Sequence, residues 1–151
     1  MSEQPYSGPD DPRVTALRVE QFAFPGPLRD RLVEAVLSGA KTSTTGLVTE
    51  YEAEDEPLPL AGTRGAVVDS AGRIVAVTEV AEVRIVRLDE VDLQHALDEG
   101  EGYTTLAEWR SGHERFWHSD ELRAALGDPD FTVTDDTRVI LERFRLVADF
   151  R

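Results

Sequence analysis

Lys41 is followed without a break by Thr42, Ser43, Thr44 and Thr45, just behind the pair Gly39-Ala40. Those residue types define a short menu of chemistry. A lysine among hydroxyls binds phosphate as a point charge, or activates a hydroxyl as nucleophile once burial lowers its pKa. A carboxylate beside it would instead keep it charged and suit it to stabilising an oxyanion or a phosphate. The structural alternative is an exposed turn lysine with threonines opening a strand. Backbone geometry limits the pairings. In a turn or bulge the side chains of Lys41 and Thr44 meet, whereas in a regular strand Lys41 shares a face with Ser43. A phosphate-binding P-loop is excluded, because it needs glycines where this chain has Ala40 and Ala35, and a helix after the motif instead of before it.

A second cluster, Asp98-Glu99-Gly100-Glu101-Gly102, alternates carboxylates with glycines in a tight loop able to aim a carboxylate into a cleft. It lacks the alternating oxygen ligands of a calcium-binding EF-hand loop. His95, His113 and His118 do not have the spacing of a metal pair on one helix face, and the chain has no cysteine, so thiolate metal sites and disulfides are excluded. Trp109, Arg110 and Trp117 offer surfaces on which a nucleobase could stack, and His113 lies between the two tryptophans, either packed with them or facing a base.

These groups need elements to carry them. Leu28, Leu32 and Val36, widened by Val33 and Leu37, form one helical face that opens at Pro27 and closes at Gly39. That helix delivers Lys41 just beyond its end. Residues 50–63 read as an acidic loop, Arg64–Asp69 and Arg73–Leu88 as strands joined by the turn Ser70-Ala71-Gly72, and the second strand is long enough to call for a bulge. Val91–Leu97 and Leu106–Phe116 read as helices, Asp128–Asp136 as a polar loop, and Thr137–Val147 as a closing strand. Strands on both sides of a helical insertion predict an α+β domain built round a small barrel or curved sheet. Residues 1–12 read as a disordered or loosely attached tail and 13–151 as a single domain.

The 151 residues carry 40% hydrophobic and 30% charged side chains, ordinary for a globular protein, with no apolar run long enough for a membrane span. A cytoplasmic location is expected. The formal net charge of −14 opposes nonspecific binding to long nucleic acid, while leaving room for a local basic cleft or a small nucleoside ligand.

The order of motifs adds information that no single motif holds. Gly39-x-Lys41-x-x-Thr44, then Pro57-Leu58-Pro59-Leu60-Ala61-Gly62, Glu99-Gly100-Glu101-Gly102, Trp109-Arg110-x-x-His113-x-x-Phe116-Trp117 and Leu141-Glu142-Arg143-Phe144 together resemble the ASCH (activating signal cointegrator homology) domain family over residues 22–148. The likeness is to its longer bacterial branch. The resemblance implies a PUA-like mixed β-barrel with helices packed around it and a cleft for RNA or a nucleoside. Some bacterial members are metal-dependent ribonucleases acting on single-stranded RNA. Smaller members are amidohydrolases of N4-acetylcytidine, using a lysine, a threonine three residues later and a distant glutamate. Carried over by motif, the catalytic set is Lys41, Thr44 and Glu99, with Ser43, Trp109, Arg110 and His113 as expected substrate contacts. Single-stranded RNA cleavage is the first expectation, with a divalent metal entering only under that reading. Deacylation of N4-acetylcytidine is the alternative that the net charge favours. A non-catalytic RNA-binding module is the third, and it requires a basic strip drawn from Arg64, Arg73, Arg84, Arg110 and Arg143.

Overall fold

Gly39 ends the first long helix in the left-handed conformation, φ 85°, and its N–H bonds Val36 O. The computed structural model, which describes residues 4–151, places that helix, α2, at Pro27–Ser38. Its apolar stripe packs Val33, Val36 and Leu37 against Phe22, Val67, Ala76 and Phe144. Arg29 lies buried on the same face, where it donates to Phe22 O, Ala23 O, Asp69 O and Gln21 Oε1, so its charge is fully hydrogen-bonded.

The remaining elements follow in chain order. A short helix α1 (Pro12–Thr15) precedes β1 (Arg18–Glu20); after α2 come β2 (Ser43–Leu47) and α3 (Val48–Ala53). Next are β3 (Arg64–Val68), β4 (Ile74–Arg87), α4 (Leu93–Asp98), α5 (Leu106–Trp117), α6 (Asp120–Leu126) and β5 (Arg138–Asp149). The strands form one sheet in the order β1-β3-β4-β5-β2, with β1 parallel to β3 and the other pairs antiparallel. The β3–β4 hairpin turns at Ser70–Gly72 as expected. Register shifts at Val77/Thr78 and Val80/Glu82 bend β4, which is how so long a strand serves two partners.

The α+β class is as expected. The sheet curls so far that all five strands send a residue to one cleft: Glu20, Thr44, Gly65, Thr78 and Glu142 all line it. No ladder between β1 and β2 closes the curl into a hydrogen-bonded barrel among the described residues. A side-chain bridge stands in its place, Arg18 of β1 donating to the Tyr51 hydroxyl of α3 at 3.3 Å.

Two helices depart from the sequence expectation. Val48–Ala53 is helical inside what reads as the start of an acidic loop, because Glu50 accepts the Leu47 N–H at 3.3 Å and Val48 is buried. α6 arises from local caps, with Ser119 Oγ accepting the Leu122 N–H and Gly127 ending the helix at φ 69°. The N-terminal segment, expected to be loose, is held over residues 4–12. Asp11 caps α1, Arg64 donates to the Tyr6 hydroxyl at 2.7 Å, and Val14 is fully buried against Ala66 and Val77. Residues 1–3 lie outside those described. The main core gathers Trp109 and Trp117 of α5 with Leu47, Leu88, Ala96, Leu122, Val139 and Leu141. Among the described residues no helix is long and apolar enough to cross a membrane.

Candidate active site

Two turns that lie far apart in the chain, with Lys41 and Glu99 58 residues from each other, meet to build the site. The turn after α2 carries Lys41, and the turn after α4 carries Glu99, Gly100 and Glu101. Thr42 N donates to Asp98 O at 2.8 Å and Ser43 Oγ to His95 O at 3.0 Å, which fixes the start of β2 against α4. The approach is close enough to require glycine at 100. Its φ is +66°, and a Cβ there would lie 2.4 Å from Ala40 O. Lys41 is thereby set, 2% exposed, with its ammonium 3.5 Å from Glu99 Oε1, 3.7 Å from Glu101 Oε2 and 3.4 Å from Glu99 O.

The Glu99 carboxylate, 1% exposed, is surrounded by donors. Trp109 Nε1 and Thr45 Oγ1 (3.1 Å) donate to Oε2, while Lys41 and His113 Nε2 (3.3 Å) reach Oε1. The partners fix the histidine protonation. His113 Nδ1 lies 2.8 Å from Trp109 O, which can only accept, so Nδ1 carries a proton. Nε2 faces an ionised carboxylate and carries another, making His113 an imidazolium. Burial opposes that charge most strongly, but the hydrogen bond to Glu99 and the charges of Glu99 and Glu101 outweigh it and raise the His113 pKa. His95 goes the other way: burial lowers its pKa, and its Nε2 lies 2.7 Å from Thr45 Oγ1. Because Thr45 gives its own proton to Glu99, it accepts from a neutral His95 Nε2–H. Burial would raise the Glu99 pKa, yet Lys41, His113 and His95 together hold it well below the usual carboxylate range. Glu101 is shifted upward by burial and by the charge of Glu99.

Glu99, Glu101 and His113 each bring one ligand atom within 4.8 Å of the others. By donor type, two carboxylates and an imidazole suit a divalent cation, and the His113 Nδ1–H bond to a carbonyl is the outer support such a ligand takes. Lys41 already contacts both carboxylates, however, and sits between them as a resident cation.

Thr44 lies on the other face of β2. The strand's alternation sends Ser43 and Thr45 toward α4 and Thr44 into the sheet's cleft, directly opposite Glu142 in the β2–β5 register. Arg18 and Glu20 of β1 and the rings of Phe22 and Phe144 complete its walls, and Pro59 and Thr63 of the loop before β3 lie at its edge. The enclosed part of the cleft has room for about one water molecule, and the cleft opens to solvent beyond it. Glu142 is 5% exposed and has no hydrogen-bond donor among the described residues. Burial, then the charge of Glu20, pushes its pKa up to about 7 against the pull of Arg18 and Lys41. Burial raises Glu20 as well. Lys41 backs onto this cleft: its ammonium lies 5.8 Å from the centre of the Phe22 ring.

Of the residues expected from sequence, Lys41, Glu99, Trp109 and His113 come together in one buried centre. Ser43 joins them through His95 O. Thr44 faces the adjoining cleft, and Arg110 is turned away into ion pairs with Glu114 and Asp135. Thr45, His95, Glu101, Glu20 and Glu142 carry no role that is legible in the sequence. Strand alternation is the one signal that could have separated Thr45 from Thr44.

The family model for the ASCH domain matches residues 20–148. Among solved structures, protein EF3133 from Enterococcus faecalis V583 is 27% identical, covers 88% of this chain and 77% of its own, and superposes with a TM-score of 0.76. An ASCH domain from Lactobacillus crispatus JV V101 shares the fold at 24% identity and a TM-score of 0.74, over 89% of this chain and 82% of its own. No curated protein matches the sequence.

Proposed function

The chain belongs to the ASCH domain family, and from that premise we propose that it is a hydrolase of acylated nucleosides, with N4-acetylcytidine as the reference substrate. In this reading Thr44 Oγ attacks the acyl carbon, the C–N bond breaks to release the aminopyrimidine, and water hydrolyses the resulting threonyl ester. Lys41, gripped by Glu99 and Glu101, is suited to stabilising the oxyanion more than to abstracting a proton. Glu99 positions Lys41. Its carboxylate is so fully engaged by donors that proton transfer is left to other groups.

The observation that carries this reading is the pairing of Thr44 with Glu142 in a cleft that backs onto the buried Lys41–Glu99 centre. Two carboxyl groups in that cleft repel a phosphodiester and tolerate a neutral amide. The arginines that a basic strip would need are neutralised in place: Arg64 by Glu79, Arg73 by Asp69, Arg84 by Glu82 and Asp92, Arg110 by Glu114 and Asp135, and Arg143 by Asp98. That weighs against a passive RNA-binding module. Metal-dependent cleavage of single-stranded RNA is the second reading, favoured by the Glu99–Glu101–His113 donor set. Those three residues would then hold the cation, which would supply Lewis-acid stabilisation of the phosphate.

Purified protein incubated with N4-acetylcytidine, and separately with labelled single-stranded RNA, with and without chelator, distinguishes them. Cytidine release that survives chelation and disappears in Lys41→Ala is expected. Chelator-sensitive RNA cleavage without cytidine release would overturn the amidohydrolase reading.

A further inference from the structure

We propose that Glu142 is the proton-transfer group of this site, serving Thr44 across the β2–β5 ladder, with Glu20 tuning it from β1. The proposal rests on the hydrolase reading above and supplies what that reading lacks, a group free to move a proton. The buried centre cannot provide one, because Glu99 is saturated with donors and Lys41 is held between two carboxylates.

Position is the first argument. Residues directly opposite in an antiparallel pair have Cβ atoms about 4.5–5.5 Å apart on the same face, within hydrogen-bonding reach for a threonine hydroxyl and a glutamate. Thr44 and Glu142 are such a pair, and both line the cleft. Glu142 is also available. A 5% exposed carboxyl with no protein donor is costly to bury, and most buried polar groups are partnered. Its surroundings are arranged around it: Glu20 and Arg18 on β1, Tyr51 on α3 and Lys41 before β2 are the titratable and charged groups that act on it. Burial and Glu20 leave it titrating near neutrality, where one carboxyl can both take and return a proton.

The step balances on these residues. The Glu142 carboxylate takes the Thr44 Oγ proton as oxygen bonds to the acyl carbon and the carbonyl electron pair moves onto its oxygen. On collapse the C–N bond breaks, and Glu142 gives that proton to the departing nitrogen. Water then attacks the ester carbon, losing a proton to Glu142; the bond from the acyl carbon to Thr44 Oγ breaks, the carboxylic acid departs, and Thr44 Oγ regains its proton from Glu142.

The test is the pH profile of kcat/KM on N4-acetylcytidine for wild type, Glu142→Gln, Glu142→Asp and Glu20→Gln, with thermal unfolding of each. Wild-type activity should rise with pH through about 7. Glu142→Gln should fold, lose about 100-fold or more in kcat with a much smaller change in KM, and lose that rise. Glu142→Asp should keep the rise at reduced rate. Glu20→Gln should shift it to lower pH, because removing the neighbouring negative charge makes Glu142 easier to ionise. Turnover and pH rise retained in Glu142→Gln would overturn the proposal alone. Absence of wild-type turnover would overturn the hydrolase reading and this proposal with it.

Discussion

Donors from Trp109, Thr45, His113 and Lys41 converge on the Glu99 carboxylate, and the histidine they leave charged sits stacked on the Trp109 ring at 4.3 Å. Such a buried network is stable only when every member is satisfied, and here Trp109, Thr45, His113 and Lys41 each have the Glu99 carboxylate as partner. Trp109→Phe keeps an aromatic side chain but removes the indole donor and leaves a small cavity in the core, so unfolding in denaturant should show a loss of about 1–3 kcal/mol or more. The glycine beside Glu99 is under a tighter demand. Gly100→Ala combines a left-handed backbone with a Cβ driven into Ala40 O, whereas Gly102, at φ +89°, has nothing within 4 Å of an added Cβ. Gly102→Ala should therefore cost about 1–2 kcal/mol of backbone strain. Gly100→Ala should cost clearly more and separate Lys41 from Glu99. Equal midpoints for the two variants would show that the close approach carries no stability.

At the scale of elements, β2 divides its hydroxyls between two jobs, and the division can be measured. Thr45→Val removes a donor from Glu99 and should lower stability by about 1 kcal/mol or more. Thr44→Val faces the cleft and should leave the unfolding midpoint nearly unchanged while abolishing turnover of N4-acetylcytidine. A loss of activity in Thr45→Val alone would reverse the assignment. The same strand shows what local sequence could reveal. α2 and its stop at Gly39 were legible because helical periodicity and a capping glycine act within a few residues. The bulged length of β4 was legible for the same reason. α3 was not, since Glu50, which bonds the Leu47 N–H, looks in sequence like one more acid in a solvated run. The nearness of Lys41 and Glu99 came from the family resemblance, because the turns that hold them are far apart in the chain. Glu20 and Glu142 become neighbours only when the sheet curls until β1 approaches β5, and no local pattern encodes that curl.

For the molecule as a whole, a net charge of −14 makes every buried carboxyl expensive, and the cleft keeps Glu142 buried beside a second, partly exposed carboxyl, Glu20. Glu142 has an ordinary value of 4.5 and is held at about 7 in the fold, so between those pH values the folded chain binds more protons than the unfolded one. Stability therefore falls as pH rises across that window. His113, raised above 6.5, acts in the same sense: its contribution is full below 6.5 and is lost as pH rises through its folded value. Glu20 and Glu101 add to the same slope, being raised as well. Glu99 is depressed, so its contribution is complete above about 4.5 and disappears only as pH falls through its low folded value. Replacing Glu142 with a neutral isostere removes its share alone. Urea unfolding of Glu142→Gln should match wild type near pH 5 and exceed it near pH 8, by on the order of 2–3 kcal/mol, with a shallower slope remaining from His113, Glu20 and Glu101. A variant that gains stability while losing turnover would mark Glu142 as a group the fold carries at a cost for chemistry. A Glu142→Gln protein less stable than wild type at pH 8 would place the carboxylate instead in an ion pair that holds the curl of the sheet closed.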